Sequence, residues 1–210
     1  SSARIPAGRG PDKVLIRHAD RQILQSFPHF VRRHVLVGHD TLKNEPFVRI
    51  GIHTGPMVVG NVGSKSRMNY TIMGDSVNLA ARLEGANKLY KTYSLISEST
   101  YQQVKGDIEA RELDSIRVMG KFEPVKIYEL LGKSGEIKNP LHQTLPHFNN
   151  GLQYYKFRQW ENAMQCFEKA IQANENSPDG PSMTYFERCR VYQKNPPPKD
   201  WDGVFIMPTK

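Results

Sequence analysis

Apolar and polar positions alternate with a period of two in the first half of the chain, which predicts strands there. Residues 47–53 alternate before Gly55 and Pro56, so they predict a strand that runs into a turn. Residues 57–62 and 68–73 predict two more strands joined by a polar hairpin loop. Further short strands are predicted at residues 92–97, 108–113, 115–119 and 125–131.

A strand, a turn and a helix are predicted in direct succession over residues 70–84, YTIMGDSVNLAARLE. Gly74 is suited to the tight turn. Asp75 is the predicted N-cap, because its side-chain oxygen can accept a backbone N–H of the first turn and its charge suits the helix dipole. The helix is therefore expected over residues 76–85.

Two faces of this predicted helix differ in character. Leu79 and Leu83 are four residues apart and share an apolar face, while Asn78 and Arg82 share a polar one. An amide beside a guanidinium near a helix start suits a phosphate that gains charge, since arginine offers a planar fork of donors. The same spacing is also common on an ordinary solvated helix surface.

The stretch that contains GIHTG, VVGNVG and YTIMGDSVNLAARLE resembles the C-terminal half of the class III nucleotide cyclase catalytic domain over residues 49–131. This resemblance implies an α+β fold, a partial ferredoxin-like domain with an antiparallel sheet and helices. It also implies that Asn78 and Arg82 act on the ribose and triphosphate in the transition state. Thr71 would contact the adenine edge, and threonine at this position favours ATP over GTP.

Two departures from the family pattern bear on activity. Class III cyclases bind Mg²⁺ or Mn²⁺ through two Asp residues of the N-terminal half, and neither of their sequence patterns occurs here. Asp12, Asp20 and Asp40 have other neighbours, so no metal ligand is assigned. Met119 stands where the family usually has a triphosphate-binding Lys, and a thioether cannot replace that cation. Lys121 is the remaining candidate for the triphosphate.

Changes in sequence composition and pattern along the chain set the predicted domain boundaries. Residues 1–46 form a basic segment without a family match, expected to be largely loop or disorder. Residues 47–132 form the cyclase half and 133–146 a linker. Residues 147–210 resemble tetratricopeptide helices with a Pro-rich tail, a unit that needs another surface to lie on. The small and large residues of this pattern are Gly151, Tyr155, Trp160, Ala163, Phe167 and Ala170.

Composition narrows the classes of function. The chain is 38% hydrophobic and 24% charged, which is typical of a soluble globular protein, and no apolar run is long enough to cross a bilayer. We therefore expect a cytoplasmic protein without membrane contact. Half of the net charge of +8 lies in residues 1–46, but no nucleic-acid-binding motif accompanies it, so no nucleic-acid partner is expected. Cys166 and Cys189 are expected to be reduced.

The expected function is that of an adenylate cyclase, converting ATP to 3′,5′-cyclic AMP and pyrophosphate in cyclic-nucleotide signalling. The family's active site lies at a head-to-tail dimer interface, and this chain carries only the Asn and Arg set. We therefore expect a homodimer or a second cyclase protomer as partner, and no activity alone. The alternative is an inactive cyclase-like remnant that serves dimerisation or protein interaction, with a protein partner at the C-terminal helices. Either way, the missing half is expected to leave an exposed hydrophobic sheet face.

Overall fold

The structure, a computed structural model, describes residues 35–37, 48–64, 67–117, 123–137, 140–174 and 177–206. The strands in these ranges are β1 (Val35–Val37), β2 (Ile50–His53), β3 (Val58–Ser64), β4 (Arg67–Met73), β5 (Ser94–Ser97), β6 (Ile108–Arg117), β7 (Val125–Lys133) and β8 (Phe205–Ile206). The helices are α1 (Asp75–Tyr90), α2 (Glu98–Val104), α3 (Leu141–Lys156), α4 (Trp160–Gln172) and α5 (Gly180–Lys194).

Six of the strands form one sheet in the order β1-β2-β5-β7-β6-β8, and β3 pairs with β4 in a separate two-stranded ribbon. Strand β2 is parallel to β5, and β6 is parallel to β8; the other neighbours are antiparallel. The α+β class is therefore confirmed, with a mixed rather than a purely antiparallel sheet.

Strand β6 is continuous where two strands were predicted. Its pairing with β7 skips Leu113, because Glu112 lies opposite Tyr128 and Asp114 lies opposite Ile127. Such a β-bulge adds one residue and interrupts the period of two that the prediction relied on. As a result both Leu113 and Asp114 are buried.

Helix α1 is longer than predicted at its C-terminal end. Gly85 does not stop the helix, which continues to Tyr90 and ends at Lys91, a residue in the left-handed conformation with φ of 56°. The extra turn is stabilised by packing, since Ala86, Asn87 and Tyr90 are fully buried. Burial of this face outweighs the weak helix propensity of one glycine.

One hydrophobic core joins the sheet, α1 and the C-terminal helices. The prediction of an exposed face is therefore wrong for this side of the sheet, because α1 and α3–α5 cover it. The core residues are Leu79, Leu83, Ala86, Tyr90, Leu95, Leu113, Ile116, Ile127, Phe148, Leu152, Tyr155, Ala163, Phe167, Ala170, Tyr185 and Cys189. The opposite face carries a smaller cluster with Ile50, Ile52, Ile96, Ile108 and Tyr128, packed against residues of α2.

A buried ion-pair network also ties the C-terminal helices to the sheet. Arg111 of β6 donates from Nε to Glu129 of β7 and from Nη2 to Asp179, at 2.6 Å in each case. Asp179 is the N-cap of α5 and accepts the backbone N–H of Ser182. The Arg111 guanidinium also lies over the ring of Phe148 in α3, 4.6 Å from its centroid. Charged side chains of the sheet are thus paired with charged side chains at the C-terminal helices.

Helices α3 and α4 are joined by a short turn at residues 157–159 and pack against each other. Gly151 lies against the ring of Phe167, where an added Cβ atom would be 2.7 Å from a ring carbon, so the small and large residues are complementary. Assignment of the pair to the tetratricopeptide class stays a prediction. No helix in the described part of the chain is both long and apolar enough to cross a membrane.

The segment after α5 packs on the core instead of forming a free extended tail. Trp201 contacts the rings of Tyr155, Trp160 and Tyr192, with centroids 5.4 to 5.7 Å away. Strand β8 then pairs with the end of β6. The segment therefore covers one edge of the sheet.

Candidate functional site

Three of the four predicted site residues lie on one strand-turn-helix unit, β4 followed by Gly74 and α1. Thr71 is half-buried on β4, opposite Gly60 of β3. Asn78 and Arg82 are exposed and one helical turn apart on α1. Lys121, the fourth, lies outside the described residues, as does Met119.

The turn that starts α1 is built from backbone and not from the predicted aspartate cap. Gly74 is the N-cap, with φ of 135°, a value that residues with a side chain rarely adopt. Its carbonyl oxygen accepts the N–H groups of Val77 at 3.1 Å and Asn78 at 3.2 Å. Asp75 is the first helical residue and is exposed, so its charge still lies at the positive end of the helix.

Helix α1 contacts strand β2 through backbone at Gly51. A Cβ atom added there would come under 3.0 Å from the Ala80 carbonyl oxygen and the Glu84 nitrogen. Glycine therefore sets how close the helix lies to the sheet. A glycine inside an apolar strand indicates such a close approach. The sequence therefore contains a signal for this contact.

Asn87 fixes the same helix to the same strand by hydrogen bonds. Its Nδ2 donates to the carbonyl oxygens of Ile50 at 3.0 Å and Leu83 at 3.1 Å, and its Oδ1 accepts the Thr92 hydroxyl at 2.9 Å. The side chain is fully buried. Sequence reasoning missed this residue, although it lies four residues after Leu83 and hence on the apolar face of the helix.

The first turn of α1 lies at the carboxyl ends of the parallel strands β2 and β5. Gly55, two residues after β2, lies close to Ser76, since a Cβ atom added at residue 55 would be under 3.0 Å from the Ser76 hydroxyl oxygen. The end of β2 is joined to the end of β5 by His53, whose Nδ1 is 2.8 Å from the Ser97 hydroxyl. The exposed amide of Asn78 lies in this first turn of α1.

The described residues contain no cluster of three or more side chains that could hold a metal ion. No three His, Cys, Asp or Glu side chains within them converge on one point, whereas Mg²⁺ and Mn²⁺ favour carboxylate oxygens. Asp12, Asp20 and Asp40 lie outside the described residues. The chemistry that this part of the chain offers is hydrogen bonding and positive charge from Asn78 and Arg82.

The ribbon of β3 and β4 exposes large apolar side chains. They are Val58, Val62, Met68, Tyr70 and Met73, with exposed fractions of 38% to 65%. Cross-strand partners share a face, so Val58 lies beside Met73 on one face while Met68 and Tyr70 lie on the other. An apolar group of this size on a protein surface is typical of an interaction site.

Comparison with known proteins found a matching family model. The family model described as the adenylate and guanylate cyclase catalytic domain matches residues 23–132, more than half of the chain. The match begins upstream of the predicted boundary at residue 47, so part of the segment predicted to lack a family match lies inside it.

Individual relatives match shorter parts. The terminal-differentiation-specific adenylate cyclase of Dictyostelium discoideum is 37% identical over 144 residues, 67% of this chain and 7% of that protein. Adenylate cyclase 1 of Rhizobium meliloti is 48% identical over 84 residues, 40% of this chain and 13% of that protein. The chain thus spans a small fraction of the length of these relatives.

Among solved structures, the adenylyl cyclase CyaB from P. aeruginosa is 38% identical, with a TM-score of 0.39 over 46% of this chain and 48% of that one. The family match itself covers the unit that carries Thr71, Asn78 and Arg82. This chain belongs to the adenylate and guanylate cyclase catalytic domain family.

Proposed function

We propose that this chain supplies the nucleotide-binding half of an adenylate cyclase active site, which converts ATP to 3′,5′-cyclic AMP and pyrophosphate. The observation that carries the proposal is the pair Asn78 and Arg82, exposed one turn apart at the start of α1. The adenylate cyclases among its relatives support ATP as substrate, as does Thr71 by resemblance.

Each of these residues has a role in the proposed reaction. The ribose 3′ oxygen attacks the α-phosphorus, the bond to the leaving pyrophosphate breaks, and negative charge builds on the phosphoryl oxygens. Arg82 would donate to those oxygens and stabilise the charge, Asn78 would orient the ribose, and Thr71 would hydrogen-bond the adenine edge. Lys121 would contact the triphosphate.

A second protomer completes the proposed site. Cyclases of this family generally use Mg²⁺ or Mn²⁺, and the described residues offer no carboxylate set to hold them. A second cyclase protomer that has its own metal aspartates would bring those carboxylates, which a second copy of this chain would not. The exposed apolar ribbon of β3 and β4 supports an association of this kind, because burial of one ribbon face against a partner would remove Met68 and Tyr70 from water.

A second candidate is an inactive cyclase-like chain that serves dimerisation or protein interaction. The same apolar ribbon favours it, as does the lack of a metal-ligand cluster among the described residues. A protein partner at the C-terminal helices would have to use their outer surface, where Phe157 is 72% exposed and Val191 52% exposed, since their inner face is already in the core.

Complementation distinguishes the two candidates. Cyclic AMP production is measured with ATP and Mn²⁺ for the purified chain alone, and then after mixing with a cyclase protomer that keeps its metal aspartates but lacks its own Asn and Arg pair. The proposal expects activity only in the mixture, lost with Arg82→Ala and retained with Arg190→Met, an exposed arginine of α5. A folded chain that binds the protomer and yields no product would support the inactive alternative.

A further inference from the structure

Tyr90, the last residue of α1, contributes its hydroxyl to a buried polar cluster that also includes a side chain of the C-terminal helices. The Tyr90 hydroxyl donates to Oδ2 of Asp114 at 2.5 Å, and Nη1 of Arg188 donates to the same oxygen at 2.6 Å. The other carboxylate oxygen accepts the backbone N–H of Ser115 at 2.8 Å. One carboxylate therefore joins the end of α1, the bulge of β6 and helix α5.

Helix α5 also contacts the carbonyl end of α1 directly. The Thr184 hydroxyl lies 3.1 Å from the Leu89 carbonyl oxygen and 3.0 Å from the Gly180 carbonyl oxygen of its own helix, so its one proton is shared between them. A Cβ atom added at Gly180 would be 2.8 Å from the Lys91 carbonyl oxygen and 3.0 Å from that of Tyr90, so glycine allows this close approach. Carbonyl groups in the last turn of a helix lack partners within the helix. Helix α5 thus acts as a support for the end of α1.

The buried Asp114 carboxylate in this cluster depends on the positive charge of Arg188. The Asp114 side chain is 3% exposed and that of Arg188 11% exposed, and a buried carboxylate is costly unless a cation and hydrogen bonds compensate it. The Arg188 guanidinium also lies over the rings of Tyr90, Tyr185 and Phe205, at 5.1, 5.0 and 3.8 Å from their centroids. Without this guanidinium, the buried Asp114 carboxylate, which accepts the Tyr90 hydroxyl, would lose its charged partner.

We propose that Arg188 is a positioning residue for Asn78 and Arg82, acting through Asp114 and Tyr90. The inference rests on the proposed function, in which α1 carries the nucleotide-binding pair. Arg82 precedes Tyr90 by eight residues on one helix, about 12 Å along its axis. Because a helix moves as a rigid body, a shift at its supported end displaces the exposed pair. Displacement of a reacting group by about 1 Å can cost roughly a hundredfold in rate.

Three variants and one matched control test this inference in the full chain. Arg188→Met removes the charge and the hydrogen bond to Asp114, and Arg188→Lys keeps the charge without the planar guanidinium. Tyr90→Phe removes only the hydroxyl, so it stays informative if the methionine variant does not fold. Arg190→Met is the control, because Arg190 lies two residues away on α5 and pairs with Glu187 on the surface.

Two readouts are needed. Hydrogen exchange of the purified chain reports protection of residues 75–90 against that of strands β5 and β7, and the complementation assay gives kcat and KM. We expect Arg188→Met to lose protection selectively in α1 and to lower kcat roughly tenfold to a hundredfold. Tyr90→Phe should show a smaller loss of the same kind, Arg188→Lys should recover part of it, and Arg190→Met should match the wild type.

Two results would overturn the inference. One is a folded Arg188→Met or Tyr90→Phe chain whose α1 protection and kcat equal those of the wild type. The other is a loss of protection spread evenly over α1, β5 and β7, which would assign Arg188 a role in overall stability only. If the wild-type mixture makes no cyclic AMP, the proposed function fails, and the exchange data alone decide whether Arg188 positions α1.

Discussion

Gly51 and Ala80 bring strand β2 and helix α1 into backbone contact, since a Cβ atom at residue 51 would lie under 3.0 Å from the Ala80 carbonyl oxygen. Gly51→Ala should therefore push the helix away from the sheet. We expect a loss of about 1 to 3 kcal/mol in the free energy of unfolding, the usual effect of overpacking, measured by urea denaturation.

The matched control for this variant is Gly85→Ala, a substitution in helix α1. An added Cβ atom at residue 85 meets nothing within 4 Å, and alanine favours a helix over glycine by about 0.5 to 1 kcal/mol. This substitution should stabilise the chain slightly. Equal effects of the two substitutions would contradict the close contact at Gly51.

Asn87→Ala should destabilise the chain by about 1 to 3 kcal/mol, because it leaves the buried Ile50 carbonyl oxygen and the Thr92 hydroxyl without their partner. Thermal or urea unfolding measures this change. Asn162→Ala is a suitable control, since Asn162 makes an exposed hydrogen bond to Gln159 on the surface of α4. A loss at Asn87 no larger than at Asn162 would show that the amide does not fix the helix.

The two thiols should differ in reactivity. Both cysteines are free, with Cys189 buried and Cys166 partly exposed. Burial raises the pKa of the Cys189 thiol to about 12, so almost no thiolate forms there near pH 8. In the folded chain a thiol reagent should therefore label Cys166 and leave Cys189 unmodified until urea unfolds the protein. Labelling of both at the same rate, with Cys166→Ser as reference, would mean that α5 is not docked.

Stability should fall at high pH. Burial is the main cause that raises the pKa values of Tyr90, Tyr155 and Tyr185 above their ordinary value. Above about pH 10 these tyrosines ionise in the unfolded chain but stay neutral in the folded one, so the free energy of unfolding decreases as pH rises. The decrease should approach roughly 1.4 kcal/mol per pH unit for each such tyrosine.

Urea denaturation at pH 8 and at pH 10.5 measures this decrease. Tyr185→Phe should reduce the difference between the two pH values, whereas Tyr154→Phe, at a position 38% exposed, should leave it unchanged. A pH dependence that is the same in both variants would contradict the burial of the Tyr185 hydroxyl, which donates to the Leu113 carbonyl oxygen.

Local patterns predicted those parts of the fold that depend on neighbouring residues. The hairpin of β3 and β4 and the turn at Gly74 follow from alternation and from glycine placement, and the structure contains them. Helix α1 begins one residue earlier than predicted, because Gly74 and not Asp75 is its N-cap. The exposure of Asn78 and Arg82 on one side of α1 agrees with their spacing of four residues.

Features of the fold that depend on residues far apart in sequence could not be predicted from such local patterns. The close contact at Gly51 depends on where α1 lies, and the length of α1 depends on the burial of Tyr90. The sharing of Asp114 by Tyr90 and Arg188 joins residues 98 positions apart along the chain, counted from Tyr90 to Arg188. No periodicity of a single segment contains that information. For the same reason, the C-terminal helices were predicted as a separate module and not as part of the core.

The central structural claim is that these helices and the cyclase-family sheet form one folded unit that holds α1. Both tryptophans, Trp160 and Trp201, lie in the aromatic cluster of the C-terminal part, so their fluorescence reports its unfolding. Hydrogen exchange of β5 and β7 reports the sheet. Followed together through a urea titration, the two signals should change at one midpoint, as expected for a cooperative unit. Two separate midpoints would contradict the claim and make the helices an independent module.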